Sequence, residues 1–102
     1  MDLNSYQERA MSTRMATADE RYALENLAGE VGELFSLLAK ARRKGVEADK
    51  ELVKKELGDI LWQVAAVSSD FGFTLGDVAY TNIDKLRSRK ERKVIDGDGD
   101  LR

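Results

Sequence analysis

The chain has 102 residues, 42% of them apolar and 35% charged, with a net charge of −2. This length suits one domain, and the near balance of charge gives no global field for nucleic acid or for a membrane surface. Cysteine and histidine are both absent, which excludes disulfides, thiolate metal sites, a histidine general base and serine-type triads. Any metal must therefore be held by oxygen, which favours magnesium, manganese or calcium. The polar amino terminus and the lack of any long apolar run lead to the expectation of a cytoplasmic protein with no membrane span.

Proline is also absent, so no helix is interrupted by a residue lacking a backbone donor. A first helix is expected from Asn4 to Met15, with Tyr6, Ala10 and Met11 facing inward. A second opens near Thr17 or Asp19, either of which can cap it. It carries an amphipathic stripe of Leu24, Leu27, Ala28, Val31, Leu34, Phe35, Leu38 and Ala41. Arg42, Arg43 and Lys44 suit its carboxyl end, and Gly45 ends it. A third helix starts near Ala48 or Asp49, turns Leu57, Ile60, Leu61, Val64 and Val67 inward, and stops at Gly72. Thr74 caps a fourth through Val78, Ile83 and Leu86, fraying toward Lys93. No strand pattern occurs, and the short connections favour antiparallel neighbours. The expected fold is an all-α four-helix (tetrahelical) bundle over residues 1–95, completed by oligomerisation, with a flexible tail at 96–102.

Two pairs of acids carry the chemistry. Glu30 and Glu33 are three apart on the second helix, as are Glu56 and Asp59 on the third, so each pair shares a helix face beside the apolar stripe. Glu33 and Glu56 stand at matched distances from the turn at Gly45, so antiparallel packing brings the pairs to one height. Four carboxylates brought together must be protonated, separated or neutralised, and a divalent cation with oxygen ligands resolves the repulsion. Solvated helix faces also carry such acids, so the pairs read either as a metal site or as surface charge.

Other signals are weaker. Asn82, Lys85 and Arg89 share one face of the fourth helix, read as a phosphate-binding row or as a solvated basic end. Lys40 and Lys44, beyond Glu33, are further phosphate candidates. Trp62 either stacks on a base or fills a core or subunit interface. The run from Asp96 to Asp100 lacks the positions of a calcium loop, and the basic run from Arg87 to Lys93 lacks the interleaved aromatics of a nucleic-acid binder.

At the acids the chain resembles the MazG-like all-alpha nucleoside triphosphate pyrophosphohydrolases. The motif stands as Leu27-Ala28-Gly29-Glu30-Val31-Gly32-Glu33-Leu34 and Glu56-Leu57-Gly58-Asp59-Ile60-Leu61-Trp62. Glycines inside both pairs cost about 1 kcal/mol each relative to alanine, yet they too are found in that family. The likeness extends to Tyr6, Gln7 and Thr13, to Asn82, Lys85, Leu86 and Arg89, and to the ending from Gly97 to Arg102, where Leu101 stands in place of the family's asparagine. It implies magnesium-dependent hydrolysis, with manganese possible, of a nucleoside triphosphate to monophosphate and pyrophosphate. It also implies Glu30, Glu33, Glu56 and Asp59 as metal ligands and catalytic groups, Lys85 and Arg89 on phosphate, Asn82 on the nucleotide, and Tyr6 and Gln7 lining the base pocket. A homodimer or homotetramer is expected, with neither nucleic acid nor membrane as partner. The competing reading is a non-catalytic helical interaction module whose acids are merely solvated.

Overall fold

The computed structural model describes residues 1–17 and 19–92, with Glu20 described by its backbone alone. Among these residues there are four helices and no strand: α1 Leu3–Ser12, α2 Glu20–Lys44, α3 Lys50–Asp70 and α4 Leu75–Glu91. The expected tail at 96–102 and the fray to Lys93 lie outside the described residues. No helix among them is long and apolar enough to cross a membrane.

Local chemistry accounts for each boundary. A helix start leaves backbone N–H groups without partners, and a short oxygen-bearing side chain supplies one. Asp2 accepts from the Ser5 N–H at 2.7 Å, and Asp19, one of the two expected caps, from that of Tyr22 at 3.0 Å. Asp49 caps α3 through the N–H groups of Glu51 and Leu52, and Thr74 caps α4 through that of Asp77. Gly45 ends α2 at φ 68°, a left-handed conformation that glycine adopts without a Cβ penalty. Gly72, at φ 79°, turns the chain between α3 and α4. The first helix ends at Ser12, before the expected Met15. There the N–H groups of Thr13 and Arg14 turn back to the carbonyls of Ala10 and Met11, and the helical ladder closes.

The helices divide into two groups that share α3. The short turn after Gly45 folds α2 back antiparallel on α3, and α2 packs against no other helix. α1 and α4 pack on α3 and on each other. Polar contacts specify this second group. Gln7, buried at 8% exposure, donates to Ser69 Oγ at 2.9 Å and to the Phe73 carbonyl at 3.0 Å, and accepts from the Leu75 N–H at 2.8 Å. Asn4 Oδ1 accepts from the Gly76 N–H at 2.8 Å, an approach so close that a Cβ on residue 76 would meet the same oxygen. Arg14 forks across both oxygens of Asp70 at 2.9 and 3.0 Å, with both side chains largely buried. The Trp62 indole N–H donates to the Ala10 carbonyl and to Thr13 Oγ1 at the end of α1.

The apolar stripe of α2 does not face inward as a whole. Leu27, Leu34 and Ala41 turn toward α3, whereas Leu24, Val31, Phe35 and Leu38 are 50%, 50%, 72% and 45% exposed. With only α3 beside it among the described helices, one side of the stripe has no neighbour in the described residues. Leu57, Leu61, Val78 and Ile83, also expected inside, are likewise exposed, and Tyr6 and Met11 are half-buried. Ala10 is buried as expected, and apart from Leu75 the other buried positions hold small or polar residues: Ala23, Ala65 and Ala66, with Gln7, Gln63, Ser68 and Arg89.

Replacing Gln7 with leucine leaves the buried Leu75 N–H without an acceptor. The expected loss is about 2–3 kcal/mol, since an orphaned buried donor costs more than the bond it made contributed. Urea unfolding followed by helical circular dichroism measures it; an unchanged midpoint would mean that Gln7 does not hold the α3–α4 turn.

Candidate active site

Antiparallel helices that leave a common turn carry residues at equal separations from it to equal heights. The α2–α3 hairpin thus brings together Glu30 and Glu33 from one helix with Glu56 from the other, each offering a carboxylate oxygen within 4.8 Å of the others. Asp59 lies outside that tight group of three. Its charge still acts on Glu30, on Glu56 and on the phenol of Tyr6.

The electrostatics follow from crowding. Burial pushes the Glu30 carboxyl above its ordinary value, and the negative charges of Glu33, Asp59 and Glu56 push it further. Glu56 rises for the same first reason, then through Glu33 and Asp59, helped by a hydrogen bond it shares with Glu33. Burial and the Asp59 carboxylate raise the Tyr6 phenol as well. One oxygen each of Glu30 and Glu56 is buried with no hydrogen-bond partner among the described residues. Buried acceptors without donors are rare, and each calls for an explanation. An oxygen-only set of this kind fits a hard divalent cation such as magnesium or manganese.

Beside the acids runs an open groove of about 550 Å³, lined by Gly29, Gly32, Glu33, Ser36, Lys40 and Glu56 among others. A Cβ built on Gly29, Gly32 or Gly58 would meet nothing within 4 Å. Packing within the chain therefore does not account for these helix-weakening residues, and at Gly29 and Gly32 their absent side chains widen the groove. Lys40 stands on the groove wall, while Lys44, one turn further on, is exposed at the end of α2. Sequence reasoning passed over Ser36, which its spacing of three from Glu33 would have indicated.

The remaining expected residues lie elsewhere. On α4, Asn82 is exposed, Lys85 half-buried and Arg89 buried, and this helix packs on α1 and α3 but not on α2. Gln7 is committed to the α3–α4 turn, with both its amide oxygen and its nitrogen engaged. The Trp62 indole N–H is engaged by the end of α1, and its ring lines a separate cleft with Gln63.

Comparisons with known proteins agree with this geometry. Residues 19–94 match the MazG nucleotide pyrophosphohydrolase domain. The chain is also similar to the Gene 37 protein of Mycobacterium phage L5, at 38% identity over 85 residues, which covers 79% of this chain and 75% of that protein. No solved structure matches. The family match spans α2, α3 and α4, and so includes both acid pairs and the groove between them. The chain belongs to the MazG nucleotide pyrophosphohydrolase family.

Proposed function

We propose that this protein hydrolyses a nucleoside or deoxynucleoside triphosphate to the monophosphate and pyrophosphate, with magnesium, or manganese in its place. The observation that carries the reading is the cluster of Glu30, Glu33 and Glu56, with two buried carboxylate oxygens that nothing among the described residues satisfies. Those three residues and Asp59 would hold the metal. When bound, the cation supplies positive charge against the phosphate oxygens and makes water more acidic. One of the carboxylates orients the attacking water. Lys40, on the groove wall, faces phosphate oxygens, with Lys44 a turn behind it, and Lys85 and Arg89 take the same part from α4. Asn82 hydrogen-bonds the nucleotide. The bond between the α- and β-phosphates breaks, and water supplies the oxygen that completes the new phosphate group.

The working form is a homodimer or homotetramer acting in the cytoplasm, with neither nucleic acid nor membrane as partner. Support for assembly comes from Leu24, Ala28, Val31, Phe35 and Leu38, all exposed at alternating steps of four and three, the spacing of a helix–helix seam. An uncovered stripe of this length is unusual on a chain that functions alone.

Incubation with single triphosphates and magnesium is expected to release pyrophosphate. Release should stop with chelator and fall about a hundredfold or more in Glu56→Gln while helicity is retained. Orthophosphate as the product would move the cleavage to another bond, and no product from any triphosphate would favour the non-catalytic interaction module.

The crowded carboxyls also make a prediction about stability. Their folded values lie above the ordinary 4.5, so the folded state binds more protons than the unfolded state does. Stability from this source is present at low pH and is lost as pH rises through the raised values. In chelator, Glu56→Gln should therefore melt higher than the unaltered protein at neutral pH, with the gap closing below pH 4.5. Magnesium should raise the melting point of the unaltered protein more than that of the variant. Equal melting curves at every pH would show that the acids do not crowd one another.

For assembly, Phe35→Glu places a charge in the centre of the exposed stripe. Sedimentation should show the unaltered chain as a dimer or larger and the variant as a monomer; a variant of unchanged mass would exclude this face as the seam.

A further inference from the structure

One helical turn beyond the acids, the same hairpin holds a second polar feature. Four residues back from Glu30 on α2 is Asn26, and four residues on from Asp59 on α3 is Gln63. The antiparallel register that matches the acids brings these two to one height, about 6 Å from the acidic layer. Gln63 is only 8% exposed, and its Oε1 has no hydrogen-bond partner among the described residues. It lines a cleft of about 290 Å³ together with Trp62, Tyr22, Met15, Thr17, Thr13 and Arg14. Both of its α3 residues are held firmly: Gln63 by burial, and Trp62 by its bonds to Ala10 and Thr13. With its N–H engaged, Trp62 has only ring surface to offer a ligand. Tyr22 and Met15 are 50% and 73% exposed, so the mouth of the cleft presents aromatic and thioether surface to whatever enters.

We propose that this cleft receives the base of the nucleotide and that Gln63 is the residue that reads its edge. The inference rests on the catalytic reading above for the identity of the ligand. An amide presents an acceptor beside a donor, the complement of a base edge that places an N–H beside an acceptor. A flat ring entering between Trp62 and Tyr22 meets π-surface and thioether, which take up its faces without distinguishing one base from another. Discrimination then falls to the buried amide: Thr13 and Arg14, which also line the cleft, are engaged by Trp62 and Asp70, whereas Gln63 Oε1 has no partner among the described residues. By the register of the hairpin, the acids lie between the height of Gln63 and that of Lys40. This order matches a nucleotide laid along the hairpin, with its base at Gln63, its scissile phosphates at the acids and its terminal phosphate toward Lys40.

Trp62 is the sole tryptophan, so its fluorescence reports on the cleft directly. The full chain is titrated in magnesium with each common nucleoside monophosphate, and with ribose 5-phosphate as the probe lacking a base. Saturable quenching is expected with at least one monophosphate and not with ribose 5-phosphate. Gln63→Leu should weaken the quenching ligand tenfold or more and compress the differences among bases to under threefold. It should leave helical circular dichroism unchanged and manganese binding, read by electron paramagnetic resonance, within threefold. Gln63→Met serves as a second apolar replacement of similar length should the leucine variant lose helicity. Equal quenching by ribose 5-phosphate, or monophosphate binding within threefold in both variants, overturns the proposal. If triphosphates are hydrolysed while the Gln63 variants keep their base preference, the base reading alone fails. If no triphosphate is cleaved but monophosphate binding still depends on Gln63, the catalytic reading fails and the cleft stands.

Discussion

Carboxylates held close together in a partly dry place repel one another, and that repulsion is the constraint around which this protein is arranged. The α2–α3 hairpin sets Glu30, Glu33 and Glu56 within reach of one cation and leaves the negative charge of Asp59 nearby. Nothing in the fold requires the acids to be there: they border the hairpin's packed seam and contribute nothing apolar to it. Burial raises the proton affinity of Glu30 and Glu56, and each neighbouring charge raises it further. Held in this way, the acids repel one another more strongly than separate surface acids would, and a bound cation would relieve that repulsion. The rest of the fold can be understood as the frame that keeps the hairpin rigid while its acidic edge stays open.

That frame is unusual in how little large apolar side chain it buries within one chain. Alanines and a few polar groups fill the tightest positions, and specificity comes from individual hydrogen bonds such as those of Gln7 and Trp62. Networks of this kind define one geometry well, because each partner left over would be costly. Apolar area supplies less, since Phe35 and its neighbours on α2 stand exposed. A neighbouring molecule on that face would add the burial that the chain by itself lacks.

The end of α2 and the starts of α3 and α4 were legible in the sequence because caps are local, whereas the end of α1 was not. Asp49, Thr74 and Gly45 each act within one turn, and the structure has them in those roles. The matched heights of the acids were also legible, since the register of an antiparallel hairpin follows from the position of its turn. What the periodicity could not give was the identity of the covering neighbour. A stripe of Leu24, Val31, Phe35 and Leu38 announces an apolar face but not whether that face meets α3, another helix or another molecule. The part played by Gln7 was hidden for a different reason, as its partners at Ser69, Phe73 and Leu75 are distant in sequence. Gln63 carries no charge or motif to mark it, although the register that pairs the acids continues to it one turn further on.

The Gln7 and Asn4 contacts have a kinetic side. They join residues 62 to 72 positions apart, and the first helix is bound to the start of the last by them. The α2–α3 hairpin closes across only the short turn after Gly45. Loop closure makes near partners meet sooner than far ones. The acidic edge is therefore assembled early in folding, on a hairpin that the ends of the chain clasp only afterwards.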